Sequence, residues 1–316
     1  MRILILGAGG TGGYFGGRLA QSGADVTFLA RPARAARLRE HGLQLISPLG
    51  DAHLRVPVLT TAELADTLGE TPFDLVLLGC KAYDLDSAME AIAPAAQAGA
   101  DVLPLLNGLR HYKALDARFG HARVLGGLCF ISAALGPHGE ILHLGRPASI
   151  TFGEREGQHR GHRLRELARR CAAAGIEHDY TADIAQAQWS KYSFLAALAA
   201  GTCLMRASIG DIAAADGGAA FMAALHDECL AVAAAAGQPV PEAARIKARA
   251  GLTQAGSDVK ASMLRDLEAG ARVEAAHIVG DMVHRAAAHG IAHPLLRAGW
   301  VHLQCYAQSR MARADH

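Results

Sequence analysis

The sequence has few of the features that are typical of membrane proteins, nucleic-acid-binding proteins or secreted proteins. Its net charge is only +1, from 31 basic and 30 acidic residues, which gives no case for a nucleic-acid or charged-membrane partner. No apolar run reaches the length of a membrane span. The first apolar segment runs straight into glycines, so we expect no signal peptide. These absences predict a globular, cytoplasmic protein.

The cysteines and histidines also give no indication of disulfide bonds or of a metal site. The six cysteines are scattered without a C-x-x-C pair, so we interpret them as reduced thiols. The 16 histidines show no H-E-x-x-H or other ligand spacing, so we predict no metal site. Aromatic residues are only 5% of the chain, whereas Ala and Gly are abundant, which suits α/β layers with closely packed helices. A chain of 316 residues is long enough for two domains.

The first 31 residues predict a dinucleotide-binding unit. A buried strand at Arg2–Leu6 precedes a glycine pattern, a helix follows over Gly13–Ser22, and a second strand runs over Asp25–Leu29. Strand, G-x-G-x-x-G, helix and strand in this order indicate dinucleotide binding beside a helix N-terminus. The residues that we expect to bind the cofactor here are Gly7, Gly9, Gly10, Thr11 and Gly12. The alternative is a glycine-rich turn with no ligand.

Three glycines of the pattern have separate physical roles. Gly7 permits a tight turn, Gly9 lets the backbone approach a pyrophosphate, and Gly12 lets the helix pack against the strand. Where the second strand ends, a carboxylate would bind the ribose hydroxyls of NAD, but this corner has no acid. Arg31 and Arg34 could instead reach the 2′-phosphate of NADP, whose geometry suits a guanidinium. The alternative is a solvated, basic start of the next helix.

The element pattern divides the chain into an NADP-binding domain over 1–181 and a helical domain over 182–316. Strands at 124–134, 141–144 and 149–152 predict a mixed extension of the first sheet. Beyond residue 181 we find only helices, one of them from 257 to 289. The predicted fold class is therefore α/β, with an N-terminal Rossmann-type, doubly wound sheet and an all-helical C-terminal domain.

Several polar residues occupy positions where ligands could bind. Lys81 and Asn107 follow predicted strands at the sheet edge where ligands gather, although each could merely end its strand. Lys191 stands beside an apolar run at 194–205, so it either snorkels to water or works in a cleft. Ser262 and Glu274 share the predicted helix over 257–289, and periodicity alone does not single them out.

The chain resembles the ketopantoate reductases (2-dehydropantoate 2-reductases) from end to end. The segments that carry the resemblance are the glycine turn with its helix, FLAR at 28–31, LLGCKAYD at 77–84, LLNG at 105–108, WSK at 189–191 and SMLRDLEAGARVE at 262–274.

This resemblance implies that NADPH reduces 2-dehydropantoate to pantoate, a step of pantothenate synthesis. It implies that Lys191 is the catalytic lysine, whose ammonium stabilises and protonates the alkoxide, and that Glu274 binds the hydroxyl end of the substrate and positions the lysine. It places Asn107 near the nicotinamide and the substrate, Ser262 at the substrate carboxylate, and Lys81 on the cofactor side. Asn107 and Glu274 are also expected to border the cofactor.

One departure concerns the substrate. Members of the family usually carry asparagines one and two turns after the catalytic lysine, whereas this chain has Leu195 and Ala199. A site built on hydrogen bonds loses discrimination when its partners are absent. Two alternatives therefore stay open, namely a reductase for a different 2-oxo acid or ketone and a nucleotide-binding regulator without turnover. The expected partner is a small 2-oxo acid, and the apolar helices could form either a core or a homodimer interface.

Overall fold

The computed structural model describes residues 1–68, 71–159 and 161–314, which form two compact units. Unit 1 comprises residues 1–106 and 111–184, and unit 2 comprises residues 107–110 and 185–316. The α/β class with a helical second body is confirmed.

In its described residues, unit 1 contains ten strands and six α-helices. Its strands are β1 (Arg2–Leu6), β2 (Asp25–Leu29), β3 (Leu43–Ile46), β4 (Ala52–Leu54), β5 (Val58–Leu59), β6 (Leu75–Leu78), β7 (Asp101–Pro104), β8 (Gly126–Leu135), β9 (Ile141–Gly153) and β10 (Glu177–Tyr180). Its helices are α1 (Gly10–Gln21), α2 (Pro32–His41), α3 (Thr61–Thr67), α4 (Leu85–Gln97), α5 (His111–Phe119) and α6 (Gly161–Ala173).

The first sheet is wholly parallel, in the order β5-β2-β1-β6-β7. Its central strands are continuous apolar runs, as expected for strands that are covered on both faces. Because β1 lies between β2 and β6, connections leave it towards both sides of the sheet. The loop after β1 therefore occupies the position at which doubly wound sheets bind their ligands.

The predicted mixed extension of this sheet is wrong. Strands β8, β9 and β10 form a second sheet with the β3–β4 hairpin, and β9 is a single strand of 13 residues. It pairs with β8 in antiparallel fashion, and with β3 and β10 in parallel. The sequence pattern identifies strands, but strand partners are chosen by contacts between residues far apart in the chain.

Helix α1 lies between the two sheets, which explains its many glycines. A Cβ at Gly16 would stand 2.9 Å from Ile5 of β1, whereas a Cβ at Gly13 would stand 2.6 Å from Ile141 of β9. A Cβ at Gly17 would meet Leu43 of β3 at 3.0 Å. The helix therefore touches a sheet on each side, and larger residues at these positions would force the layers apart.

Helix α4 continues through Pro94 to Gln97. The proline lies in the last turn of the helix. Its missing N–H therefore removes a single hydrogen bond near a terminus, where few remain to be lost.

In its described residues, unit 2 contains helices joined by loops and no strands, as predicted. Its helices are α7 (Ile184–Met205), α8 (Ile209–Ala214), α9 (Gly218–Ala235), α10 (Glu242–Leu252), α11 (Ser262–Glu268), α12 (Asp281–Ala288) and α13 (Pro294–Ala314), with a π-helical segment (Ala276–Gly280) before α12.

The single helix predicted over 257–289 is wrong. Helix α11 ends just before Gly270, whose φ of +68° is left-handed and suits a glycine at a helix C-terminus. Residues 271–274 are not helical, and the π-helical segment leads into α12. The alanine-rich sequence resembles a continuous helix because one left-handed glycine is a weak signal against a long periodic pattern.

Among the described residues, α9 alone has the length and apolar character of a membrane span, whereas the sequence predicted none. It contributes Met222, Leu225 and Cys229 to the buried core of unit 2. On the same helix, Glu228 accepts hydrogen bonds from two backbone N–H groups at the start of α13. The helix is thus part of a packed protein core, and core helices commonly have such composition.

Candidate functional site

The glycine turn after β1 has the backbone that its pattern predicts. Gly7 has a φ of +96°, a left-handed conformation that favours glycine. Helix α1 begins at Gly10, inside the pattern and three residues earlier than predicted, and Gly9 is its N-cap. No side chain caps this end, so its N–H groups can be offered to an anion.

Gly9 and Gly12 face different surroundings. A Cβ on Gly12 would stand 2.1 Å from the carbonyl oxygen of Gly7, so this position must be glycine for α1 to pack on β1. A Cβ on Gly9 would meet no protein atom within 4 Å. The open space at Gly9, beside the helix N-terminus, fits the close approach of a dinucleotide phosphate.

The arginines after β2 lie in different surroundings. Arg31 is the N-cap of α2, its guanidinium is mostly exposed, and it forms an ion pair of 2.9 Å with Asp84. Arg34 donates instead to the carbonyls of Ala8, at 3.1 Å, and Gly139, at 2.7 Å. Arg31 therefore keeps an exposed cation at the strand end, while Arg34 fastens the glycine turn to the β8–β9 turn.

Lys81 follows β6 and is the N-cap of a short 3₁₀ turn over Ala82–Asp84. It is half-buried. Because this turn supplies Asp84 to Arg31, the ends of β2 and β6 are joined by an ion pair. Lys81, Arg31 and the glycine turn thus all follow strands of the first sheet at its carboxyl edge.

In unit 2, Lys191 and Asn107 are in direct contact. The Lys191 ammonium donates a hydrogen bond of 2.9 Å to the side-chain oxygen of Asn107. Lys191 is only 9% exposed, so it does not extend into solvent as a snorkelling lysine would. An ammonium has three N–H donors, of which this bond to a neutral amide oxygen uses one.

The loop that carries Asn107 packs against the π-helical segment. Gly108 has a φ of +78°, and a Cβ there would stand 2.9 Å from the carbonyl oxygen of His277. Arg110 donates to the carbonyl of Ala276. Burial lowers the pKa of His277 to about 4, so its imidazole is neutral near pH 7. Close backbone packing thus fixes the loop that presents Asn107 to Lys191.

Glu274 and Ser262 have different surroundings. Glu274 is only 8% exposed, and its backbone carbonyl accepts hydrogen bonds from His277 and Ile278 at the start of the π-helical segment. Ser262 is exposed on the first turn of α11. Among the described residues, no hydrogen bond joins Ser262 to Lys191 or Asn107. The structure brings Lys191 and Asn107 together and buries Glu274, but it leaves Ser262 at the surface.

Leu195 and Ala199, the two positions that depart from the family pattern, are not equivalent. Leu195 is half-buried one turn after Lys191, on the same face of α7. Ala199 is 1% exposed and belongs to the core of unit 2. Only Leu195 is therefore accessible beside the lysine, and the apolar residue at 199 is explained by core packing.

A buried polar network beside Lys191 was not predicted from the sequence. The Tyr192 hydroxyl proton is shared between the carbonyl of Ile278, at 2.8 Å, and the carboxylate of Asp281, at 3.0 Å. Arg285 also binds this carboxylate, and its guanidinium lies over the Trp189 ring. Burial, and then the charge of Asp281, raise the pKa of Tyr192. The network joins α7 to the π-helical segment. No local sequence pattern predicts this contact, because its residues lie far apart in the chain.

A parallel sheet with a glycine turn after its central strand, followed in the chain by a helical body with a buried lysine, is the architecture of a Rossmann-type dinucleotide-binding protein. The chain belongs to the ketopantoate reductase family. Residues 3–157 match the family model described as ketopantoate reductase PanE/ApbA, and residues 183–306 match its C-terminal counterpart.

Individual relatives agree with this assignment. The chain is 36% identical over 306 residues to the uncharacterised oxidoreductase YkpB of Bacillus subtilis, covering 97% of this chain and 99% of that protein. The crystal structure of 2-dehydropantoate 2-reductase from Geobacter metallireducens superposes with a TM-score of 0.85 at 31% identity, covering 96% and 99% of the two chains. A D-mandelate dehydrogenase solved with NADH and anilino(oxo)acetate has the same fold, with a TM-score of 0.85 at 20% identity over 98% and 99%.

Proposed function

We propose that this protein reduces the keto group of 2-dehydropantoate to give pantoate, with NADPH as the reductant. The observation that carries the proposal is the buried Lys191 ammonium held by Asn107 in a chain of the ketopantoate reductase family. The reaction consumes one NADPH and one proton for each 2-hydroxy acid formed, and it would serve pantothenate synthesis.

The residues of unit 1 suit the coenzyme. The uncapped start of α1 and the open backbone at Gly9 would hold the pyrophosphate, and Arg31 would pair with the 2′-phosphate. When bound, NADPH supplies a hydride to the keto carbon of the substrate.

Lys191 performs the acid step. Its ammonium donates a hydrogen bond to the keto oxygen, so that it stabilises the negative charge that develops there and then gives up the proton. Asn107 orients the ammonium through the bond of 2.9 Å. Glu274 would bind the hydroxyl end of the substrate. Water returns the proton to Lys191 after each turnover.

The test is NADPH oxidation against a panel of 2-oxo acids that includes 2-dehydropantoate, with NADH as the comparison. We expect 2-dehydropantoate to have the highest kcat/KM and NADPH to be preferred over NADH. NADPH binding without oxidation by any carbonyl compound would instead identify a nucleotide-binding regulator.

Leu195 favours a second candidate function, the reduction of a 2-oxo acid with a larger apolar side chain. We expect Leu195→Asn to change the ratio of kcat/KM for 2-dehydropantoate over 4-methyl-2-oxopentanoate by about tenfold in favour of 2-dehydropantoate, because an amide replaces an apolar surface beside Lys191. Ala199→Asn is the contrast, since an amide in the packed core should lower Tm instead. An unchanged ratio in Leu195→Asn would remove this residue from substrate selection.

Arg31 provides a test of coenzyme choice. We expect Arg31→Ala to weaken NADPH binding by about tenfold or more and NADH binding by much less, because only NADPH carries the phosphate that a guanidinium can bind. Arg39→Ala is the matched control, since Arg39 is a surface arginine of α2 that pairs with Glu63, as Arg31 pairs with Asp84. Coenzyme fluorescence measures the Kd of each variant for NADPH and for NADH. An equal loss of affinity for both coenzymes would contradict a contact between Arg31 and the phosphate.

A further inference from the structure

A cavity of about 410 Å³ opens in unit 1 beside α2, and three arginines line it. Arg34 and Arg37 lie one turn apart on α2, and Arg55 follows β4. The same lining contains three histidines, one amide and one acid: His41, His53, His138, Gln44 and Glu40. The volume lies in the range of small-molecule sites, and three guanidinium groups face a single carboxylate.

The guanidinium groups are held by neutral partners. Arg34 and Arg37 donate to main-chain carbonyls of the β8–β9 turn, and Arg55 donates to main-chain carbonyls at the end of α2. Within residues 1–68, 71–159 and 161–314, no carboxylate forms an ion pair with any of the three. Hydrogen bonds to the backbone therefore fix the positions of these side chains, and within the same residues none of their positive charges is held in an ion pair.

Arg34 has a buried hydrogen-bond donor that no atom of the described residues satisfies. In the described structure its Nη2 atom is buried without a hydrogen-bond partner, which is costly for a charged donor. Burial, and next the charge of Arg37, lower the pKa of Arg34 below its ordinary value. An anion near both side chains would satisfy a buried donor and relieve the repulsion between two like charges.

We propose that this cavity binds a small phosphate-type polyanion, with inorganic pyrophosphate as its simplest representative, independently of the coenzyme. Guanidinium groups match phosphate oxygens in paired, charge-assisted hydrogen bonds. The space exceeds what one phosphate fills, and the arginines approach it from two elements. As the structure describes it, the lining includes neither the glycine turn at 7–12 nor Arg31 or Lys81. Of the residues considered for the coenzyme, the lining shares only Arg34, which donates to the carbonyls of Ala8 and Gly139. The other two arginines of the cavity, Arg37 and Arg55, were not assigned to the coenzyme.

Calorimetric titration of the full chain with inorganic pyrophosphate, in metal-free buffer, tests the proposal. We expect one site per chain, retained when NADPH is saturating. Arg37→Gln and Arg55→Gln should each weaken pyrophosphate binding by about tenfold, because each removes one charged donor group. Arg169→Gln, a change at an exposed arginine of α6, is the matched control and should have no effect. A Tm measurement on each variant separates loss of binding from loss of folding.

Three results would overturn the proposal. Wild-type protein could fail to bind pyrophosphate at millimolar concentration, or NADPH could displace it, which would assign the arginines to the coenzyme site. Equal weakening by Arg169→Gln would indicate non-specific charge attraction. None of these measurements involves turnover, so a failure of the proposed reductase activity, seen in the NADPH oxidation assay, stays distinguishable from a failure of this site.

Discussion

Replacing Lys191 with Met should lower kcat by about 10²- to 10⁴-fold, the usual contribution of a general acid, while leaving the Kd of NADPH almost unchanged. The methionine keeps an unbranched apolar stem of similar length in the buried position but cannot donate a proton or stabilise an alkoxide. Single-turnover and steady-state kinetics, together with coenzyme titration, measure the two effects separately.

Lys191→Arg divides the electrostatic role from the acid role. A guanidinium keeps the positive charge but does not release its proton near neutral pH, so this variant should recover only part of the lost activity. Lys247→Ala, on the exposed surface of α10, controls for loss of a lysine as such and should keep full activity. If Lys191→Met turns over at the wild-type rate, the lysine has no place in the mechanism.

Gly9→Ala should lose affinity for NADPH, whereas Gly12→Ala should lose stability. Gly9 has an ordinary φ of −94° and no protein atom within 4 Å of an added Cβ, so Gly9→Ala should keep its Tm and yet lose NADPH affinity by tenfold or more. Gly12→Ala would place a methyl group 2.1 Å from the Gly7 carbonyl. Such overpacking costs about 1–3 kcal/mol or more, so its Tm should fall.

Comparing the two variants distinguishes a glycine that is needed for coenzyme binding from a glycine that is needed for folding. An effect of Gly9→Ala on coenzyme affinity, with no change in unfolding, cannot arise from contacts within the protein. Thermal denaturation followed by circular dichroism and NADPH titration of both variants are sufficient. Unchanged NADPH affinity in Gly9→Ala would mean that the open backbone at this position does not face the coenzyme.

Local features of unit 1 were predictable because they depend on short segments. The bounds of β1 and β2 follow from continuous apolar runs, and the left-handed Gly7 follows from the turn that such a strand requires before a helix. The helix start was less accurate, because the backbone already turns helical at Gly10 although glycine has a low helix propensity.

Errors occurred where distant contacts override a local pattern. Strand β8 was predicted and β9 was predicted as two separate strands, but their membership of one sheet with β3 and β4 depends on packing around α1. The break at Gly270 and the π-helical segment were hidden in a sequence of good helix formers. The π-helical segment is bound by Tyr192 and packs on Gly108, and these partners lie far away in the chain.

By itself, the sequence determined the strands and helix around the glycine turn, the change to helices in the second half and the family, because each of these is encoded in contiguous residues. Tertiary structure decided that Asn107, at the end of a sheet strand, joins the helical unit and holds Lys191. It also decided that Leu195, one turn after that lysine, is half-buried whereas Ala199 is in the core. Which side chains meet, and which are shielded from water, depends on how separate elements pack, and no single segment specifies that.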